Sequence, residues 1–182
     1  MYGMYGMYPY PYFNAPYGQG FSEQFTPYEV GYGSMFNSPQ STTHNAPINL
    51  SDHGPNPYVV NISEATKQNK PFRTALWTGK HLQLTLMNIL DDIGLEIHPH
   101  TDQFLRIEEG EGIVRMGKNK NNLDFQRRVK DDDAIFIPAG TWHNVINTGN
   151  RPLKLYSIYA PVQHPFGTVH LTKADAEAAE KH

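Results

Sequence analysis

Polar and apolar residues alternate along much of the chain after residue 57, with the period of two that is typical of strands buried on one face. The clearest run spans residues 81–89. Strands are also predicted at residues 72–77, 93–98, 103–108, 112–116, 124–129, 134–137, 142–147 and 153–160. Turn residues separate these runs at intervals of about ten residues, without a long helix between them, which indicates an antiparallel barrel or sandwich.

Two short helices are predicted at the borders of this all-β region. Residues 61–68 form a helical pattern that Asn61 or Ser63 caps and that ends before Pro71. Near the other end, Thr172 and Asp175 have the spacing of a capping box at the start of an alanine-rich helix. We therefore expect a β-barrel domain at residues 57–168 and a C-terminal helix within residues 169–182.

Residues 1–56 have a different composition and are predicted to be a low-complexity arm. Short tyrosine, glycine and proline units repeat there, and eight of the eleven tyrosines precede residue 35. Aliphatic residues are scarce, so this segment has no core with which to offset its conformational entropy, and we expect it to be disordered. Two uses of the arm stay open, a passive tail or a tyrosine-rich surface for self-association.

The composition of the chain limits the kinds of site and partner that we expect. The chain has no cysteine, which excludes disulfides and thiolate ligands, so any metal is bound through nitrogen and oxygen. A net charge of −3 gives no reason to expect nucleic acid or an anionic membrane as a partner. No apolar run approaches the roughly 18 residues of a membrane span, and the N-terminus lacks a secretory pattern, so we expect a cytoplasmic protein.

The most informative segment lies at residues 138–147. Pro138 and Gly140 form a turn, and a predicted strand that carries His143 and ends at Asn147 follows. About forty residues upstream, a second donor-rich segment contains further nitrogen and oxygen ligands. These donors are Glu96, His98, His100 and Gln103.

The combination resembles the cupin superfamily, over roughly residues 60–168, in the form of a small single-domain RmlC-like jelly-roll barrel. The family's second motif, Pro-x-Gly-x-x-His-x-x-x-Asn, is matched in full, although the glycine usual six residues before Pro138 is Asp132 here. In the first motif, counting back from the turn at Gly110 assigns Gln103 to the third ligand place and His98 to the second. Glu96 then stands where the family commonly has its first histidine.

The resemblance implies a divalent metal (Mn, Fe, Ni or Zn) bound by four side chains, namely Glu96, His98, Gln103 and His143. Pairing His98 with His100 instead would put Leu105, which cannot coordinate, in the third place, unless the intervening loop is two residues shorter and Gln103 still serves. His100 is then an outer ligand or proton shuttle, and Glu96 or His100 is the expected proton carrier in catalysis. A barrel that kept the polar pocket without its metal is the alternative.

Function and partners follow from the same resemblance. We expect a small-molecule ligand, such as a sugar derivative or an organic acid, and a homodimer formed through exposed sheet edges. Isomerase, lyase and dioxygenase chemistry all stay open. The alternative function is a non-catalytic, spore-coat-like assembly protein at the spore coat or cell surface, in which the arm mediates association. Wall or core positions of the pocket are predicted at Phe104, Ile107, Phe136, Trp142, Ile146 and Tyr156.

Overall fold

The computed structural model describes residues 46–179, which form two antiparallel sheets with two short helices. The helices are α1 (Ile62–Gln68) and α2 (Lys173–Ala179). The strands are β1 (Arg73–Thr78), β2 (Gln83–Ile89), β3 (Asp102–Glu109), β4 (Glu111–Gly117), β5 (Phe125–Lys130), β6 (Ala134–Ile137), β7 (Trp142–Asn147), β8 (Leu153–Ala160) and β9 (Val169–His170). The predicted all-β architecture of jelly-roll type is confirmed. The arm lies outside the described residues up to residue 45.

The two sheets enclose one apolar core. The larger sheet has the order β6-β3-β8-β2-β1-β9, and the smaller has the order β5-β4-β7. Alternate residues of the strands point into the space between the sheets, so Leu105, Ile107 and Leu155 of the larger sheet share a buried cluster with Val114 and Val145 of the smaller one. Burial of these side chains is the main source of stability.

Polar residues occupy one end of this interior. On β2, Gln83 and Thr85 are buried in the same phase as the apolar Met87. Ser157 lies opposite Thr85 and Tyr159 opposite Gln83 on β8, so the polar positions of neighbouring strands coincide. Because buried polar groups are unfavourable unless they find partners, a polar end inside a barrel indicates a site rather than a packing solution.

The helix predictions hold in detail. The Asn61 side chain accepts a hydrogen bond from the Glu64 N–H, so Asn61 rather than Ser63 is the N-cap of α1. At α2, the Thr172 N–H donates to the Asp175 carboxylate and the Asp175 N–H donates to the Thr172 hydroxyl, which is the expected capping box.

The prediction of a regular strand over residues 93–98 is wrong. This segment is irregular and touches β7 through two isolated bridges, Asp92 with Ile146 and Glu96 with His143. Gly94 has a φ of 92°, which interrupts the extended conformation, and Pro99 has no N–H to donate. The segment is thus a strap that runs antiparallel along the edge of β7 and pairs with it only at isolated positions.

Residues 46–56 make contacts with the folded domain, although the sequence assigns them to the arm. Ile48 and Leu50 pack on a cluster that includes Leu86 of β2. The Asp52 carboxylate accepts hydrogen bonds from the Thr78 hydroxyl and the Gly167 N–H. The domain boundary after residue 56 stays a prediction, and these contacts indicate which part of the segment stabilises the sheet.

At the family's glycine position, Asp132 adopts a φ of 71°. This left-handed conformation favours glycine, and aspartate is among the few other residues that adopt it without great strain. The Asp132 carboxylate pairs with the guanidinium of Arg106. The turn is thereby retained without the glycine.

Candidate metal centre

Three predicted ligands lie together inside the polar end of the interior. Glu96, His98 and His143 are buried, and each offers a ligand atom within 4.8 Å of the others. The Glu96 Oε2 atom is 3.6 Å from His98 Nε2 and 3.8 Å from His143 Nε2. These separations place three donors around a common point, and the cluster could bind a metal ion.

The turn at Pro138 and Gly140 brings the two ligand-bearing segments together. The Gly140 N–H donates to the His98 carbonyl oxygen at 2.8 Å. Glu96 and His143 exchange two backbone hydrogen bonds, of 3.0 and 2.9 Å. Since Gly140 has a φ of 69°, a glycine is needed where the chain turns toward His98. The motif therefore positions the backbone of all three ligands.

The His143 ring is oriented for coordination. Its Nδ1 atom lies 3.0 Å from the Thr141 carbonyl oxygen, to which an Nδ1–H donates, so Nε2 is left with a lone pair that faces Glu96. Burial lowers the pKa of His143, and the hydrogen bond to Thr141 and the charge of Glu96 oppose that shift without cancelling it. A neutral imidazole is the form that a metal requires.

Gln103, the fourth predicted ligand, is buried on β3. Its Nε2 donates to the Ser157 hydroxyl at 2.9 Å, which leaves its Oε1 directed elsewhere and without a hydrogen-bond partner among the described residues. The same is true of Glu96 Oε2, His98 Nε2 and His143 Nε2. Buried polar atoms without partners are unfavourable by themselves, and a cation could satisfy those of Glu96, His98 and His143 together.

Glu96 is ionised in this environment. Burial would raise its pKa, but the facing His98 imidazole and the charges of Arg73 and His143 lower the pKa to about 2. Arg73 is the stronger partner in geometry, because its Nη2 lies 3.1 Å from Glu96 Oε1 and the arginine has no exposed surface. The sequence-based reasoning placed Arg73 at the start of a strand without any role.

His100 does not join the cluster. It lies exposed in the turn that follows Pro99, whereas Glu96 is the third member beside His98 and His143. A role for His100 as outer ligand or shuttle stays a prediction. The other motif residue, Asn147, is a loop cap: its amide donates to the carbonyl oxygens of Ile89, Leu90 and Arg151.

A cleft of about 580 Å³ opens beside Glu96 and His98. This volume is in the usual range for small-molecule sites. Its walls combine apolar residues with hydrogen-bonding ones. Trp142 was expected as a wall residue and lines the cleft, together with Leu95, Lys120, Gln163 and His164. The expectation that Phe136 is wall or core is wrong, because 69% of its surface is exposed on the outer face of β6.

His164 is a pocket residue that the sequence-based reasoning missed. Its backbone N–H donates to Gln83 Oε1 and its carbonyl accepts from Gln83 Nε2, so one buried amide holds both groups. Its own Nε2 is buried and has no hydrogen-bond partner among the described residues. A histidine beside a proline after the last long strand is a weak signal, and the contact that explains it joins residues 81 positions apart.

Comparisons with known proteins agree with the geometry. Residues 88–159 match the family described as the Cupin domain. The chain is 74% identical over 133 residues to the uncharacterized protein YrkC of Bacillus subtilis, covering 72% of each. It is 44% identical over 119 residues to the uncharacterized protein L612 of Acanthamoeba polyphaga mimivirus, covering 64% of this chain and 72% of that protein. The crystal structure of BH2720 from Bacillus halodurans is similar at 70% identity, with a TM-score of 0.70, over 71% of this chain and 99% of that one.

Neither helix between residues 46 and 179 is long and apolar enough to cross a membrane.

Proposed function

Because this chain belongs to the cupin superfamily, we propose that its four buried donors hold a divalent metal ion, at which a small oxygenated molecule reacts by Lewis-acid and proton-transfer chemistry. The observation that supports this most directly is the buried cluster of Glu96, His98 and His143, whose facing atoms have no hydrogen-bond partner among the described residues, as is also true of Gln103 Oε1. Two imidazoles and a carboxylate are a ligand set that leaves coordination positions open for a substrate.

A divalent ion held there would polarise an oxygen atom of the bound molecule. The residues of the chain supply the rest. The Thr141 carbonyl keeps the His143 ring in one orientation, and Ser157 keeps the Gln103 oxygen turned away from β8. The cleft beside Glu96 places Lys120 and Gln163 where they can donate hydrogen bonds to a hydroxyl or carboxylate. An organic acid or a sugar derivative fits such walls, and Glu96 or His100 remains the proposed proton carrier.

Metal analysis of the full chain, purified without a histidine tag, tests the proposal. After reconstitution with manganese, iron, nickel or zinc and removal of loosely bound ion, we expect about one equivalent per chain. Less than roughly 0.2 equivalents with all four ions would refute the proposal and favour a barrel without a metal.

Two histidines that are two positions apart provide a matched pair of variants. His98→Ala removes a buried donor and should reduce metal affinity by about tenfold or more, since a ligand is lost. His100→Ala changes an exposed side chain and should leave the metal content as in the wild type. Loss of metal in His100→Ala, with retention in His98→Ala, would transfer the ligand role to His100.

We also propose that the partner is a second copy of the chain, bound through the bare outer face of β3, β6 and β8. Phe104, Phe136 and Ile158 line a shallow apolar depression on this face, and the first two rings are in contact at 5.1 Å. Phe136→Ser should shift the molecular mass in solution, measured by light scattering, from dimer to monomer. Leu171→Ser is the control, because Leu171 is 70% exposed at another place; an equal effect of both variants would contradict this interface.

A further inference from the structure

Glu96 places a negatively charged carboxylate where the family's usual first histidine would place a neutral imidazole. A buried charge is unfavourable unless a partner compensates for it. Here the partner is Arg73, whose guanidinium has no exposed surface and lies 3.1 Å from Glu96 Oε1. Burying an arginine merely to fill space is unfavourable, so its position beside this carboxylate requires an explanation.

The two oxygens of Glu96 have separate partners. Oε1 accepts a hydrogen bond from Arg73 Nη2. Oε2 has no hydrogen-bond partner among the described residues and faces the Nε2 atoms of His98 and His143. The arginine therefore leaves one oxygen of the carboxylate for a cation and prevents the other from turning toward it.

We propose that Arg73 is a positioning residue of the metal site, which makes Glu96 a one-oxygen ligand and cancels its charge. The positive charge of the arginine then opposes the negative charge that Glu96 adds to the ligand set. A bound divalent ion keeps its full charge for an anionic or carbonyl-bearing ligand, although one of its ligands is a carboxylate. This inference rests on the proposed metal site.

The affinity of the full chain for Mn²⁺ and Zn²⁺, measured by competition with a chelator at pH 8, tests the proposal. Arg73→Met removes the positive charge and should tighten metal binding by roughly tenfold or more, because an opposing charge near the ion is lost. Glu96→His keeps a donor but removes the negative charge that faces the arginine, and it should weaken binding by roughly tenfold or more. The double variant should return to within about fivefold of the wild type.

Two controls separate charge from structure. Arg73→Lys keeps the charge and should stay within about fivefold of the wild type, since a lysine loses only the planar geometry of the hydrogen bond. Arg106→Met removes an arginine that pairs with Asp132 on the outside of the sheet and should not change the affinity. Circular dichroism of each variant shows that the fold is retained.

The direction in which the metal affinity changes distinguishes a positioning role of Arg73 from a purely structural one. A residue that only stabilises the fold would weaken metal binding when it is replaced, so weaker or unchanged binding in Arg73→Met overturns the proposal. If the Arg73→Met protein does not fold, the metal affinity of Glu96→His is compared with that of the double variant. The proposal is also overturned if adding Arg73→Met to Glu96→His does not tighten metal binding. Absence of metal from the wild type is a different result, which refutes the metal site itself.

Discussion

Single residues at the polar end of the interior carry the chemistry, and His164 illustrates how the fold controls them. Burial, together with the charge of Arg73, lowers the pKa of His164 to about 3. The ring packs edge-on against Tyr159, with centroids 5.1 Å apart, and Tyr159 packs in the same way against His98. A neutral imidazole beside the cleft can exchange a hydrogen bond with a bound molecule at physiological pH.

The pKa of His164 predicts how stability depends on pH. An unfolded chain protonates this histidine near its ordinary pKa of 6.5, whereas the folded chain does so only near 3, so the free energy of unfolding falls as the pH drops through that window. His164→Asn removes this contribution. Between pH 7 and pH 4.5, the free energy of unfolding of this variant should fall by on the order of 2 kcal/mol less than that of the wild type, measured by urea unfolding. His100→Asn, at an exposed position, is the control; equal losses in all three proteins would contradict the prediction.

Elements follow their local sequence signals except where the site interrupts them. Strands β6, β7 and β8 begin and end at the residues that the alternation predicts. The strap over residues 93–98 departs from its pattern because it carries Glu96 and His98 to the bridge with His143. Alternation of apolar and polar residues indicates which side chains are buried. It does not distinguish a regular strand from an irregular strap whose alternate side chains are also buried.

Helix α1 allows a test of a single local signal. Asn61→Ala removes the acceptor for the Glu64 N–H and should lower the free energy of unfolding by about 1 kcal/mol, measured with urea. Ser63→Ala is the matched control, since Ser63 lies inside the helix and should change stability by less than about 0.5 kcal/mol. A larger effect at Ser63 than at Asn61 would contradict the assignment of the cap.

At the scale of the whole molecule, part of the predicted arm contributes to the folded domain. The contacts of Ile48, Leu50 and Asp52 fix residues 46–56 on the outer side of β1 and β2. Their apolar side chains cover the outer face of the larger sheet together with α1. Through α1 this cover reaches part of β8 and β3, and it leaves Phe136 of β6 exposed.

Two deletions distinguish the contribution of residues 1–45 from that of residues 46–56. Removing residues 1–45 keeps the contacts of Ile48 and Leu50, whereas removing residues 1–56 exposes the apolar surface beneath them. The melting temperature of the longer deletion should therefore be lower than that of the shorter one by roughly 4 °C, as expected for about 1 kcal/mol in a domain of this size. Equal melting temperatures would contradict the role of this segment. Loss of assembly in both, with metal binding unchanged, would instead favour the assembly function.

Much of the protein can be read from the sequence by itself. Alternation and turn residues predict most of the strands, with β6, β7 and β8 matched to the residue, and the caps predict both helices. The resemblance carried by residues 138–147 and their upstream donors implies the candidate ligands Glu96, His98, Gln103 and His143. These signals are local or have a fixed spacing, so no knowledge of packing is needed to recognise them.

Only the tertiary structure decided how the ligands are used. The pairing of Arg73 with Glu96, the approach of Glu96 to His143, and the hydrogen bonds between Gln83 and His164 all join segments that are distant in the chain. Such contacts depend on which strands lie side by side and on which side chains lose their water, because the cost of burying a charge selects its partner in space rather than in sequence.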